Sequence, residues 1–168
     1  MTGQRPSQRY SLLIGSITAY WSVTEYLCDQ ALALLLRIDS NLSRCITAQV
    51  ADFGVRLDIL KAVSNQAIED EQLLEEFQTI LETIATASRE RDSVLHSVWF
   101  NLGYEDLTDT KYSFEAGSVP IVGSTKYKPP ELKRVLDQTK EATEALTTFL
   151  LERLGMPPEA PGIVVEST

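Results

Sequence analysis

EDEQLLEEFQTILETIATASRERDSVLHSV, residues 69–98, carries an apolar stripe at Leu73, Phe77, Ile80/Leu81, Ile84, Ala87/Ser88, Arg91, Val94/Leu95 and Val98. Steps of three and four residues put these side chains on one face of a helix, and Glu69, Asp70 and Glu71 suit its N-terminus because they face the positive end of its dipole. Upstream, Leu13, Ile17, Tyr20, Thr24, Leu27, Ala31 and Leu34/Leu35 repeat at the same spacing, which predicts one long helix from about Ser11 to Arg37. The polar cluster Asp39-Ser40-Asn41 stops it and is suited to cap the next element. Ile46, Val50, Phe53, Leu57, Leu60 and Val63 then predict a second helix, with Gly54 inside it.

Beyond Ser97 the period changes. Trp99 and Phe100, Tyr112 alternating with Phe114, and Ile121-Val122, punctuated by Gly103, Gly117 and Gly123, predict two or three short antiparallel strands. Pro129-Pro130 opens a last helix, whose stripe is Leu132, Leu136, Ala142, Leu146, Phe149/Leu150 and Leu154 and which ends at Gly155. The expected fold is therefore all-α: a four- to five-helix up-and-down bundle with a small antiparallel β-hairpin insertion, about 97–128, between the last two long helices. Residues 1–155 are read as a single domain and 156–168, rich in Pro, Glu and Ser, as a flexible tail.

A chain of 168 residues with 43% hydrophobic content buries roughly 70% of its unfolded surface. It needs no disulfide or metal for stability. Cys28 and Cys45 lie in segments that read as apolar helix, where a reduced thiol behaves as a small hydrophobe. The longest nearly uncharged stretch, Tyr10 to Tyr20, is interspersed with Ser, Gly and Thr, so neither a signal peptide nor a membrane span is expected, and the location expected is cytoplasmic.

The net charge of −9 is uneven along the chain: residues 1–64 carry +1, residues 65–110 carry −9 and residues 111–168 carry −1. A grip on long nucleic acid calls for a basic face. Extended duplex binding is therefore not expected, while a short, locally recognised RNA loop remains compatible.

One histidine and two separated cysteines do not make a zinc set, and neither a Gly-rich phosphate loop nor Gly-x-Ser-x-Gly occurs. No metal or cofactor is expected. Chemistry is left to Arg91-Asp92-Ser93-Val94-Leu95-His96. Arg91 falls on the apolar face, where a guanidinium must meet a carboxylate, carbonyls, a ligand anion or a wet interface. An internal acid such as Glu25, with Trp21 one turn before it, would make Arg91 merely structural. His96 is the sole imidazole and the side chain suited to moving protons near neutral pH. Asp92, four residues earlier, shares its helix face and can orient the ring. The cations Lys126, Lys128, Lys133 and Arg134, interleaved with Tyr127, read as a solvated face around a helix start.

The Arg91-x4-His96 spacing with Asp92 after the arginine resembles the signature of the HEPN superfamily. So do Ala19-Tyr20-Trp21-Ser22-Val23-Thr24-Glu25 in the first helix, Phe53-x-x-x-Leu57-x-x-Leu60 in the second, and Trp99 shortly after the histidine. Over residues 10 to 155 the chain looks like a bacterial HEPN-like branch. Many relatives in that branch have Gly directly after the histidine, where this chain has Ser97.

The resemblance implies a HEPN-type bundle and a metal-independent endoribonuclease, in a toxin or defence role, that leaves a 2′,3′-cyclic phosphate. Its catalytic residues would be Arg91, Asp92 and His96, supported by Glu25, Trp21, Ser97 and Trp99. It further implies a homodimer with the active site at the interface, RNA as substrate, and an antitoxin or nucleotidyltransferase as partner. The alternative is a non-catalytic HEPN-like dimeric module that binds a nucleotide or a protein. One geometric difficulty accompanies the reading: positions five apart on a helix point about 140° from each other. Either the long arginine bends round, or the helix distorts near His96, or Arg and His of the working pair come from different subunits.

Overall fold

The computed structural model describes residues 8–96, 98–100, 109–112 and 125–158. Five helices carry these residues, as a helical bundle requires: α1 (Gln8–Leu36), α2 (Ser40–Thr47), α3 (Phe53–Ala67), α4 (Glu71–Leu95) and α5 (Pro129–Glu152). Between α4 and α5 lie three short strands, β1 (Val98–Phe100), β2 (Asp109–Tyr112) and β3 (Thr125–Tyr127), antiparallel in the order β1-β2-β3. Trp99 is opposite Lys111, and Thr110 is opposite Lys126. The rest of 97–128, other than Lys128, and the end of the tail lie outside the described residues. No helix among the described residues is long and apolar enough to cross a membrane.

Local chemistry sets most helix ends. The Asp39 carboxylate caps α2 by accepting from Asn41 N at 2.9 Å, as its polar cluster leads one to expect. Asp70 does the same for α4, accepting from Gln72 N and Leu73 N. At the start of α5, Lys128 N donates to Glu131 Oε2 at 2.6 Å, and the two prolines occupy first-turn positions where a missing N–H costs little. Gly155, at φ 69°, ends the segment after α5. α1 closes differently: Arg37 N donates to Leu34 O and Ile38 N to Ala33 O, with Arg37 itself at φ 54°.

That left-handed position usually holds Gly, because a Cβ there crowds the backbone. Arg37 is exposed. Arg37→Gly is therefore expected to raise stability by about 0.5–1 kcal/mol, read by urea denaturation. A loss of stability would mean that the arginine side chain does more than tolerate its turn.

The predicted second helix is two helices. Chain from Gln49 to Asp52 leaves the helix, Asp52 Oδ1 caps α3 by accepting from Val55 N, and Arg56 Nε ties the connection down by donating to Val50 O at 2.6 Å. An aspartate side chain that satisfies a free N–H competes with helix continuation. The apolar spacing Ile46, Val50, Phe53 runs through the break and conceals it. α2 is also turned opposite to the expected stripe. Ser43 and Thr47 are buried, with Ser43 Oγ donating to Asp29 O, whereas Leu42 and Ile46 are exposed. At the other predicted boundary, α4 stops at Leu95, and Val98, read as the last of its stripe, belongs to β1.

The chain divides into two compact units: Met1–Tyr20 with Thr86–Lys140, and Trp21–Ala85 with Glu141–Thr168. In the first, Tyr10 and Ile17 of α1, Val94 of α4, and Leu132, Val135 and Leu136 of α5 form one buried cluster. In the second, Phe77 and Phe149 stack at 4.9 Å between ring centroids, Trp21 meets Phe53 edge-on at 4.7 Å, and the buried Thr24 and Thr143 hydroxyls share a 2.8 Å hydrogen bond. The residues of α4 and α5 among these are the ones that helical spacing marks out as core, Val135 and Thr143 excepted.

The cysteines differ. Cys28 is buried, and its thiol is pushed well above the ordinary range, first by desolvation and then by the Asp29 and Glu25 carboxylates. Cys45 is exposed on α2, although its segment reads as apolar helix. A disulfide reagent at pH 8 is expected to titrate one thiol in the native protein, at least about tenfold faster than the second. Equal rates would contradict the burial. The sign of the Cys28 shift also favours folding below the usual thiol pKa of about 8.5. That contribution is lost as pH rises, because the unfolded thiol ionises first.

Candidate active site

α4 ends on the segment singled out from the sequence. His96 N donates to Asp92 O at 3.0 Å, the last hydrogen bond of helical type, so His96 stands one residue past the helix. Arg91 Nη1 lies 2.7 Å from Asp92 Oδ1, and His96 Nε2 lies 3.8 Å from the same oxygen. The 140° difficulty is met by side-chain bending. Asp92 and His96 share a face, and the long arginine stem curls to bring its charge to that carboxylate.

Arg91 is the buried member, with its side chain 13% exposed; the Asp92 and His96 side chains are 47% and 78% exposed. Pairing with Asp92 gives Arg91 the carboxylate that its place on the apolar face demands. The imidazole separation is too long for a hydrogen bond. Neither ring nitrogen is hydrogen-bonded to Asp92, and the imidazole, 78% exposed, is accessible to a ligand. The arrangement is thus a fixed cation, a shared carboxylate and an accessible acid–base group on six consecutive residues.

The supporting residues divide. Trp21 is buried against Phe53, and Glu25 is half-buried on α1; both belong to the unit that does not contain the site. Trp99 is placed by its backbone in β1. Ser97 lies outside the described residues. Of the basic group, Lys126 is in β3 and Lys128 precedes α5, exposed. Lys133 is held by Asp137 at 2.6 Å. Arg134 reaches α4, its Nη2 3.0 Å from Glu90 Oε2. Sequence spacing does not pair Glu90 with Arg134, for 44 positions separate them and no local rule links them.

Folding also redistributes the charge. The unit that carries Arg91, Asp92 and His96 has ten Lys/Arg and eight Asp/Glu, whereas the other has five against sixteen. The acids at 69–82 that make the middle of the sequence so negative belong with the second unit. Comparison with protein-family models, with curated proteins and with solved structures finds no match for this chain.

Proposed function

We propose that the protein is a metal-independent endoribonuclease of HEPN type, working as a homodimer in a toxin or defence role, with Arg91, Asp92 and His96 as its catalytic residues. The observation that carries this reading is the convergence of Arg91 and His96 on one oxygen of Asp92 at the end of α4. In the reaction, the His96 imidazole takes the proton of a ribose 2′-hydroxyl as the 2′-oxygen attacks the adjacent phosphorus. The bond from phosphorus to the 5′-oxygen breaks, leaving a 2′,3′-cyclic phosphate and a 5′-hydroxyl. The leaving oxygen takes its proton from the protonated His96 of a second copy. Arg91 neutralises the charge that grows on the phosphoryl oxygens, and Asp92 steadies both the guanidinium and the imidazolium.

The exposure of His96 bears on the competing reading, a non-catalytic dimeric module for a nucleotide or protein. An imidazole in open solvent has no walls to exclude water, so the ribonuclease reading depends on the second copy to close the site. The test is incubation of the full chain with several structured RNAs in EDTA, with end-group analysis and light scattering on the same preparation. Cleavage by a dimer that leaves cyclic phosphate and 5′-hydroxyl ends is the expected result. A dimer inert on every RNA would leave the binding module standing; a monomer would remove the composite site.

A further inference from the structure

Leu132, Val135 and Leu136 of α5 share a buried cluster with Val94 of α4, so the first half of α5 lies against the end of α4 that bears the site. That packing turns Lys133 and Arg134 outward, with side chains 66% and 52% exposed. Lys133 is satisfied on its own helix by Asp137. Arg134 is held across two helices: Nη1 donates to Gln138 Oε1 at 3.0 Å, and Nη2 donates to Glu90 Oε2 at 3.0 Å. Glu90 immediately precedes Arg91.

We infer that Arg134 is a second phosphate-binding residue, gripping the backbone of single-stranded RNA beside the phosphate held by Arg91, and that the Glu90 carboxylate is the internal anion which the RNA displaces. The inference rests on the ribonuclease reading for its substrate. A guanidinium presents its donors as a fork that suits carboxylate and phosphate alike. A half-exposed ion pair is weak and exchanges readily for another anion. Gln138 is neutral, so it keeps the guanidinium oriented while the charged partner changes. The charge of the surroundings agrees: with ten Lys/Arg against eight Asp/Glu, this unit tolerates a polyanion, while the other, with five against sixteen, repels one. Glu90 then sets a threshold, since only a ligand that supplies an anion at Arg134 recovers the lost pair.

The test uses full-length His96→Ala protein, to prevent turnover, and a short fluorescent single-stranded RNA in EDTA, with anisotropy read over a series of salt concentrations. Arg134→Gln is expected to weaken binding about tenfold at low salt and to reduce the slope of log K against log salt by about 0.7, the loss of one phosphate contact. Glu90→Gln is expected to tighten binding about three- to tenfold, a gain that disappears in the double variant with Arg134→Gln. A merely structural ion pair predicts no gain from Glu90→Gln, and that result overturns the inference. So does an equal gain for polyglutamate, which would make the ligand an acidic peptide. Should Arg134→Gln fail to fold, the Glu90→Gln arm decides alone. Binding that responds as described, with no cleavage by wild type, defeats the ribonuclease reading only. Cleavage indifferent to Glu90 and Arg134 defeats this inference only, and a parent protein that binds no RNA defeats both.

Discussion

Alanine at position 96 is expected to slow RNA cleavage by about 10²–10⁴-fold, the usual contribution of a positioned acid–base group. It should do so without a cost in stability. The His96 side chain is 78% exposed, sits beyond the last turn of α4, and lies 3.8 Å from its charged partner Asp92. Exposed substitutions of this kind stay within about 0.5 kcal/mol, so the melting temperature should hold within about 2 °C. Arg91 provides the contrast. Its side chain is 13% exposed, so Arg91→Ala removes a largely buried stem and loses stability as well as rate. Single-turnover rates and thermal melts on the same samples separate the two. Undiminished cleavage by His96→Ala would remove the imidazole from the mechanism whatever the oligomeric state.

The largest effect on folding is expected at the aromatic pair of the second unit. Phe77 is 0% exposed and Phe149 2% exposed, with ring planes 22° apart and centroids 4.9 Å apart. Phe77→Ala removes a fully buried ring and leaves a cavity faced by the unsupported Phe149. The expected cost is about 3–5 kcal/mol, of which the ring pair accounts for about 0.5–1.5 kcal/mol. For a chain of this size that is a fall in melting temperature of roughly 6–20 °C. Phe77→Leu keeps most of the volume and should lose less than half as much. A cost below about 1 kcal/mol for the alanine variant would show that the position is not part of a close-packed core.

Much of what holds these helices in place was legible before any coordinate. Asp39, Asp70, Pro129-Pro130 and Gly155 mark helix ends through interactions that reach only a few residues along the chain. Phe77, Ile84, Leu146 and Phe149 are identifiable as core because burial follows the helical period. The meeting of Asp92 with Arg91 and His96 is of the same local kind, one residue in one direction and four in the other. α2 marks the boundary of such reasoning. Its spacing is helical, but which face turns inward depends on what lies beneath it, and the backbone oxygen of Asp29 selects the Ser43 hydroxyl.

Sequence alone thus determined the helical class, most helix ends, the apolar stripes and the residues grouped at the end of α4, because caps, periodicity and i,i+4 proximity all act within about one turn of the chain. Tertiary structure decided the inward polar face of α2, the reach of Arg134 to Glu90 and the larger share of acidic residues in one unit. Most of these features join residues tens of positions apart. Their partners are chosen by which apolar faces pack together, so no pattern of neighbouring letters encodes them directly.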